Sequence, residues 1–158
     1  MARNVELGYD EAGFARGREL VGELGMDRAV DIVRQAAELL RREGLKVGVV
    51  GFCWGGSVAL LANTRLGLPG VAYYGARSRP HLGEALRAPM LFHFGQDDGS
   101  TPPEYIQAHC DAWPGAEVHV YPGAGHAFNR DVDPRHFHAP SAALARRRTL
   151  AFFESALR

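Results

Sequence analysis

The first 45 residues follow the 3.6-residue spacing of amphipathic helices. Asp10 precedes residues 11–24, whose apolar positions lie near one face, and Asp27 precedes residues 28–43, which have the same spacing. Aspartate is a favoured residue at the position that caps a helix N-terminus, and Gly44 is a typical helix stop. The pattern therefore predicts two helices, which are capped by Asp10 and Asp27.

After Gly44 the pattern changes to short apolar runs that alternate with helical segments. The runs are rich in β-branched and aromatic residues, which is typical of buried strands, and they cover residues 46–52, 70–75, 89–95 and 117–121. Helices are predicted over residues 57–66, 103–113 and 141–157. Strands separated by helices imply right-handed crossovers and a parallel sheet that is buried on both faces. We therefore expect one α/β domain over residues 1–158, a three-layer α/β/α sandwich with a mostly parallel sheet.

Composition and charge exclude several classes of protein. The apolar share of 46% is ordinary for a globular chain, and 18 basic residues balance 18 acidic ones, which argues against a nucleic-acid partner. No apolar run approaches the roughly 20 residues that span a bilayer, and residues 1–8 lack the apolar region of a signal peptide. We expect a cytoplasmic protein without a membrane partner, in which Cys53 and Cys110 are free thiols.

The turn after the first strand carries the most specific chemical motif. Its sequence, Gly51-Phe-Cys53-Trp-Gly55-Gly, lies between a predicted strand and a predicted helix, which is the setting of a nucleophile elbow. We expect Gly51 and Gly55 to remove Cβ atoms where the helix passes close to the strand, so that Cys53 adopts a strained backbone angle. The helix N-terminus then favours the thiolate. The alternative is a tight turn that contains a structural cysteine.

The turns after the third and fourth strands supply an acid and a base. Asp97 and Asp98 follow the third strand, and His126 follows the fourth. Open parallel sheets bind ligands beyond the carboxyl ends of their strands, where these residues can converge with Cys53. The chain order Cys, Asp, His is that of α/β-hydrolase triads. We predict that His126 moves the proton and an aspartate fixes its tautomer. The alternatives are helix-capping aspartates and a structural histidine.

Three segments resemble the dienelactone hydrolases of the α/β-hydrolase superfamily, and the resemblance covers essentially the whole chain. The segments are Gly51-Phe-Cys-Trp-Gly-Gly56, His93-Phe-Gly-Gln-Asp-Asp98 with Pro102, and Gly125-His-Ala-Phe128. The resemblance implies a partial α/β-hydrolase fold and a cysteine-dependent hydrolase of a small lactone or carboxylic ester, which forms an acyl-enzyme without metal or organic cofactor. It also selects Asp98 over Asp97, because the family's acid lies three residues after the glycine and four before the proline.

The resemblance further implies which residues bind the substrate. The backbone N–H of Trp54, the residue after the nucleophile, is expected to donate to the oxyanion. Arg130, four residues after His126, is expected to bind a carboxylate of an anionic substrate, because a guanidinium pairs with it bidentately. A solvated loop charge is the alternative for Arg130. Arg16 or Arg18 is a candidate for the family's second anchoring arginine.

Part of the family's chain has no counterpart here. A full-length member resembles this chain preceded by roughly 80 residues, which would supply the first strands, a second oxyanion donor and a glutamate that helps to deprotonate the cysteine. Their absence would expose the apolar edge of the strand over residues 46–52.

Three explanations are open: the chain start is misassigned, a separate polypeptide supplies the rest, or the chain is an inactive remnant. The alternative function is therefore a catalytically impaired domain, or half of a split hydrolase that binds a complementing chain or a second copy through this edge.

His136 and His138 raise the possibility of a metal site with His126 or the aspartates. Their spacing lacks the i, i+4 helical arrangement and the cysteine clusters that hold zinc, and Pro134 and Pro140 place them in a loop. We therefore predict no metal ligands in this chain.

Overall fold

Helices and parallel strands alternate along the chain in the computed structural model, which describes residues 5–158. The helices are α1 (Glu11–Leu24), α2 (Met26–Arg42), α3 (Trp54–Leu66), α4 (Pro103–Ala112) and α5 (Ala139–Ala156). The strands are β1 (Val49–Phe52), β2 (Gly70–Tyr73), β3 (Met90–Gly95) and β4 (Glu117–Tyr121). All pairings are parallel, and the strand order is β1-β2-β3-β4.

None of the helices over residues 5–158 is long and apolar enough to cross a membrane. The expectation of no signal peptide falls partly on residues 1–4, outside the described residues.

Helices cover both faces of the sheet. On one face, Phe92 of β3 packs with Leu60 of α3 and Trp113, which follows α4. On the other face, Leu91 belongs to a core cluster with Phe152 of α5. Because successive strand residues point to opposite faces, β3 is buried on both sides. The predicted α/β/α sandwich with a parallel sheet is confirmed.

Strand β1 forms an open edge of this sheet. It pairs with β2 alone among the described strands, and the side chains of Val50 and Phe52 are each 45% exposed. Val50 lies opposite Val71, which belongs to the core on the α5 side. The side chains of Val50 and Phe52 therefore lie on the sheet face that α5 covers elsewhere, at a place where α5 does not cover it. The expected exposure of this edge is therefore observed.

Several element boundaries differ from those predicted. Asp10 caps α1 as expected, accepting a hydrogen bond from the Gly13 N–H at 2.7 Å. Asp27 does not cap α2, because that helix already begins at Met26, and the Asp27 carboxylate instead pairs with Arg65 at 2.8 Å. The prediction of an Asp27 cap was wrong.

The turn after β1 is tighter than the sequence pattern predicts. Helix α3 begins at Trp54, directly after Cys53 and three residues before its predicted start. Two glycines lower the helix propensity of this first turn, which hides the helix start from a propensity argument. Strand β1 begins at Val49, three residues later than predicted, and β2 ends at Tyr73, because Tyr74 leaves the strand with a φ of 39°.

Candidate active site

Cys53 occupies a strained turn between β1 and α3. Its φ of 53° and ψ of −120° lie where L-residues other than glycine are rarely found. A Cβ atom at Gly51 would lie 1.8 Å from the Gly55 carbonyl oxygen, and one at Gly56 would lie 2.8 Å from the Tyr73 carbonyl oxygen. A Cβ atom at Gly55 would meet nothing within 4 Å. The steric role predicted for Gly51 is confirmed, whereas the one predicted for Gly55 was wrong and belongs to Gly56.

The side chains of Cys53, His126 and Asp98 meet at the carboxyl ends of the strands. The His126 Nε2 atom lies 3.1 Å from the Cys53 Sγ atom, and the Nδ1 atom lies 2.7 Å from Asp98 Oδ2. The other carboxylate oxygen of Asp98 accepts a hydrogen bond from the Ser100 N–H at 2.8 Å. Asp98 is only 3% exposed, whereas Asp97 is exposed to solvent. The structure thus brings Asp98 to the imidazole and leaves Asp97 outside.

Hydrogen bonds among Cys53, His126 and Asp98 shift the pKa values of all three side chains. The hydrogen bond with His126 lowers the pKa of the Cys53 thiol, against the opposing effect of burial. Burial by itself disfavours the imidazolium, but the hydrogen bonds to Asp98 and Cys53 outweigh it and raise the pKa of His126 to about 9. Burial would raise the pKa of Asp98, yet its hydrogen bonds with His126 and the Ser100 N–H lower it. The site therefore favours a thiolate beside an imidazolium.

The backbone N–H of Trp54 lies next to the Cys53 sulfur. Trp54 is the first residue of α3, and N–H groups in the first turn of a helix have no partner within the helix. This N–H contributes to the lowered pKa of the Cys53 thiol. The positive end of the α3 dipole points to the same place.

A cleft of about 620 Å³ opens beside Cys53. One wall is formed by α1 and the residues before it, and the other by the turns after β1, β2 and β3. Its lining residues are Leu7, Gly8, Tyr9, Gly13, Phe14, Gly17, Arg18, Val21, Cys53, Trp54, Ala76, Arg77 and Ser100. Arg18 thus reaches the cleft, whereas Arg16 pairs with Glu19 at 2.8 Å on the exposed surface of α1. Arg77 is a second cleft arginine, which the sequence arguments missed.

Arg130 lies beside the cleft and is held by its own loop. Its Nη2 atom donates to Asp133 Oδ2 at 2.6 Å, and its guanidinium lies 5.3 Å and 5.6 Å from the ring centres of Tyr9 and Phe14. Both rings line the cleft, while Arg130 is not among the lining residues. Its Nε atom is buried and has no hydrogen-bond partner among the described residues. The predicted contact of Arg130 with substrate stays a prediction.

The two histidines that were considered as metal ligands form hydrogen bonds within their own segment of the chain. The Nδ1 atom of His136 lies 3.0 Å from Asp133 Oδ2, and the Nδ1 atom of His138 lies 2.7 Å from Ser141 Oγ. Across residues 5–158, no three histidine, cysteine or acidic side chains are grouped as metal ligands would be. Cys53 and Cys110 are both free thiols, as expected.

Sequence reasoning also missed Tyr74, which directly follows β2. Its ring centre lies 4.8 Å from that of His126. Its position carries the signal, because it directly follows a strand of a parallel sheet, and such sheets bind ligands beyond the carboxyl ends of their strands.

Comparisons with known proteins show which family the chain resembles. The model of the dienelactone hydrolase family matches residues 2–157. The chain is 36% identical over 113 residues to a carboxymethylenebutenolidase of Pseudomonas putida, covering 68% of this chain and 48% of that protein. It is 38% identical over 124 residues to a candidate carboxymethylenebutenolidase of Yersinia pestis, covering 68% and 46%. The crystal structure of a candidate dienelactone hydrolase from Klebsiella pneumoniae superposes with a TM-score of 0.75 at 27% identity, covering 85% of this chain and 63% of that one. The chain spans about half the length of the curated relatives it matches.

Proposed function

The chain belongs to the dienelactone hydrolase family, and from that membership we propose that it hydrolyses a small lactone or carboxylic ester through a covalent acyl-enzyme. Cys53 is the nucleophile, His126 the general base and acid, and Asp98 the group that orients the imidazole. The observation that carries this assignment is the unbroken run of hydrogen bonds from the Cys53 sulfur through both nitrogens of His126 to the buried Asp98 carboxylate. Since the curated relatives are about twice as long, the activity of this stretch of chain is part of the proposal.

Acylation starts from the Cys53 thiolate, whose proton resides on His126. The sulfur attacks the carbonyl carbon, so that an S–C bond forms and an electron pair moves onto the carbonyl oxygen. The N–H of Trp54 and the α3 dipole stabilise this oxyanion. When the tetrahedral intermediate collapses, the C–O bond breaks and His126 gives its proton to the departing oxygen. A thioester remains on Cys53.

Water then resolves the thioester. Neutral His126 takes a proton from the water molecule while its oxygen attacks the carbonyl carbon, the C–S bond breaks, and the carboxylic acid leaves. The Cys53 thiolate is restored beside the imidazolium, which Asp98 stabilises in both half-reactions. No metal or organic cofactor takes part in these steps.

The charges at the cleft favour an anionic substrate. Among the described residues, Arg18 and Arg77 are its only charged lining side chains apart from the reactive thiolate. Arg130 contacts the wall formed by Tyr9 and Phe14, and its buried Nε atom lacks a partner among the described residues. A substrate carboxylate that extends past these two rings would pair with the Arg130 guanidinium.

The test compares hydrolysis of a short-chain p-nitrophenyl ester and of a small lactone by three proteins. We expect turnover by the wild type and by Cys110→Ser, which removes the other thiol, and none by Cys53→Ala. Unchanged rates in pure Cys53→Ala protein would overturn the assignment of the nucleophile.

A second candidate function is the binding of a further β-strand at the edge of β1. It is favoured by Val50 and Phe52, which are apolar and each 45% exposed beside unpaired backbone groups. A second copy of the chain or a complementing polypeptide would supply the strand.

Sedimentation velocity at rising protein concentration tests this binding. We expect self-association that Val50→Lys abolishes, because a charge on an edge strand opposes pairing. Leu39→Lys changes a similarly exposed apolar side chain on α2 and serves as the control. A wild-type chain that stays monomeric, binds no added complementing polypeptide and lacks esterase activity would contradict both proposed functions.

A further inference from the structure

Tyr74 connects the end of β2 to the imidazole at the centre of the site. Its backbone N–H donates to the His93 carbonyl oxygen at 2.8 Å, which fixes its main chain to β3. Its side chain is 3% exposed, and its ring centre lies 4.8 Å from that of His126 with an angle of 60° between the planes. The ring therefore forms a wall against one side of the imidazole.

The hydroxyl group of Tyr74 holds the turn that follows His126. It donates a hydrogen bond to the side-chain carbonyl of Asn129, and the ring packs edge-to-face on Phe128 at 5.5 Å. The turn is closed by a 2.9 Å hydrogen bond from the Arg130 N–H to the Ala127 carbonyl oxygen. Tyr74 thus contacts His126 directly and also the short segment that carries it.

Backbone strain is concentrated around the same imidazole. Among the described non-glycine residues, positive φ angles occur at Cys53 (53°), Tyr74 (39°) and Ala127 (61°). The first carries the sulfur that His126 contacts, the second carries the ring against His126, and the third directly follows His126. Strained conformations cost free energy and persist where the surrounding contacts impose them.

We infer that Tyr74 is a positioning residue for the proposed reaction: its ring holds the plane of His126, and its hydroxyl, through Asn129, fastens the turn that carries the imidazole. This inference rests on the proposed function, because it concerns how His126 is aimed at Cys53. The hydroxyl stays protonated at neutral pH, because burial and the nearby Cys53 raise the pKa of Tyr74 above its usual value. Small displacements of a catalytic group cost large factors in rate.

The test uses pH-dependent alkylation of Cys53 by iodoacetamide in a Cys110→Ser background, because this reaction reports the thiolate and requires no ester turnover. Tyr74→Phe removes only the hydroxyl, and Asn129→Ala removes its acceptor. We expect each to move the alkylation midpoint to higher pH, because a loosened His126 stabilises the thiolate less. Tyr73→Phe is the control, since it removes the adjacent hydroxyl, whose partner is Thr149.

The same variants give a double-mutant cycle for ester turnover. We expect Tyr74→Phe and Asn129→Ala each to lower kcat about tenfold with KM almost unchanged, and the double variant to lose no more than either single one. Thermal unfolding identifies any variant that fails to fold, and Asn129→Ala, at a half-buried position, then carries the test alone. An unchanged alkylation midpoint in the folded variants, or an equal shift in Tyr73→Phe, would overturn the inference. Midpoint shifts without any ester turnover would instead support it and count against the proposed reaction.

Discussion

The Nε2 atom of His126 lies 3.1 Å from the Sγ atom of Cys53, although 73 positions separate the two residues in the chain. Cys53 follows β1 and His126 follows β4, at opposite edges of the sheet. Three interstrand spacings amount to about 14 Å, so the loop after β4 has to reach back across β3 and β2. Asp98 and Tyr74, which follow those two strands, contact the imidazole where it crosses them.

This contact predicts a thiolate at Cys53 below the pH at which an ordinary thiol ionises. In a Cys110→Ser background, iodoacetamide should alkylate Cys53 with a midpoint below the usual value of about 8.5. His126→Ala should move the midpoint upwards, because the hydrogen bond with His126 is the main cause of the lowered pKa. An identical midpoint in the two proteins would contradict the pairing.

The two neighbouring aspartates should differ sharply in their effect on activity. Asp98→Asn should lower kcat for ester hydrolysis by about 10³–10⁴, because an amide holds the imidazole in the wrong tautomer. Asp97→Asn is the matched control, one residue away and exposed, and should change kcat by about twofold or less. Equal losses in both variants would refute the assignment of Asp98.

The glycines of the elbow should respond differently to alanine. Gly51→Ala should lower the free energy of unfolding by about 2–3 kcal/mol, because its Cβ atom would overlap the Gly55 carbonyl oxygen. Gly55→Ala meets open space in the first turn of α3 and should raise the free energy by about 0.5 kcal/mol. Urea denaturation measures both changes. A more stable Gly51→Ala protein would show that this turn is not closely packed.

Acid should destabilise the fold through His93. Burial, together with His119 and Arg148, lowers the pKa of His93 to about 3. Because the unfolded value is near 6.5, the unfolded chain binds the additional proton, and stability falls as the pH drops from 6.5 towards 3. The slope from this fully buried site is about 1.4 kcal/mol per pH unit.

Urea denaturation of His93→Gln at several pH values checks this slope. Between pH 4 and 6 the free energy of unfolding should fall less steeply in the variant than in the wild type, by about 1.4 kcal/mol per pH unit. Above pH 7 the two curves should run parallel, which serves as the internal control. Parallel curves at acidic pH as well would contradict a neutral buried His93.

The sequence was sufficient for the features that depend on local pattern and chain order. Alternating apolar runs and helices predicted the parallel sheet, and the placement of Cys53, Asp98 and His126 after the first, third and fourth strands predicted where they meet. The motif did not reveal which glycine relieves which contact, because Gly55 and Gly56 differ only in how α3 approaches the end of β2.

The other differences arise from tertiary partners that a local pattern does not contain. Asp27 pairs with Arg65, 38 residues away, instead of capping a helix. Arg130 is engaged by Asp133 and by the rings of Tyr9 and Phe14, a set of contacts that depends on how α1 lies against the loop after β4.

The most direct test of the central claim is the intact mass of the protein a few milliseconds after mixing with a p-nitrophenyl ester and quenching in acid. Formation of a thioester predicts a species heavier by one acyl group, located on Cys53 by peptide mapping and absent from Cys53→Ala. Steady turnover by the wild type without any such adduct, or an adduct of equal yield in Cys53→Ala, would contradict a covalent intermediate on Cys53.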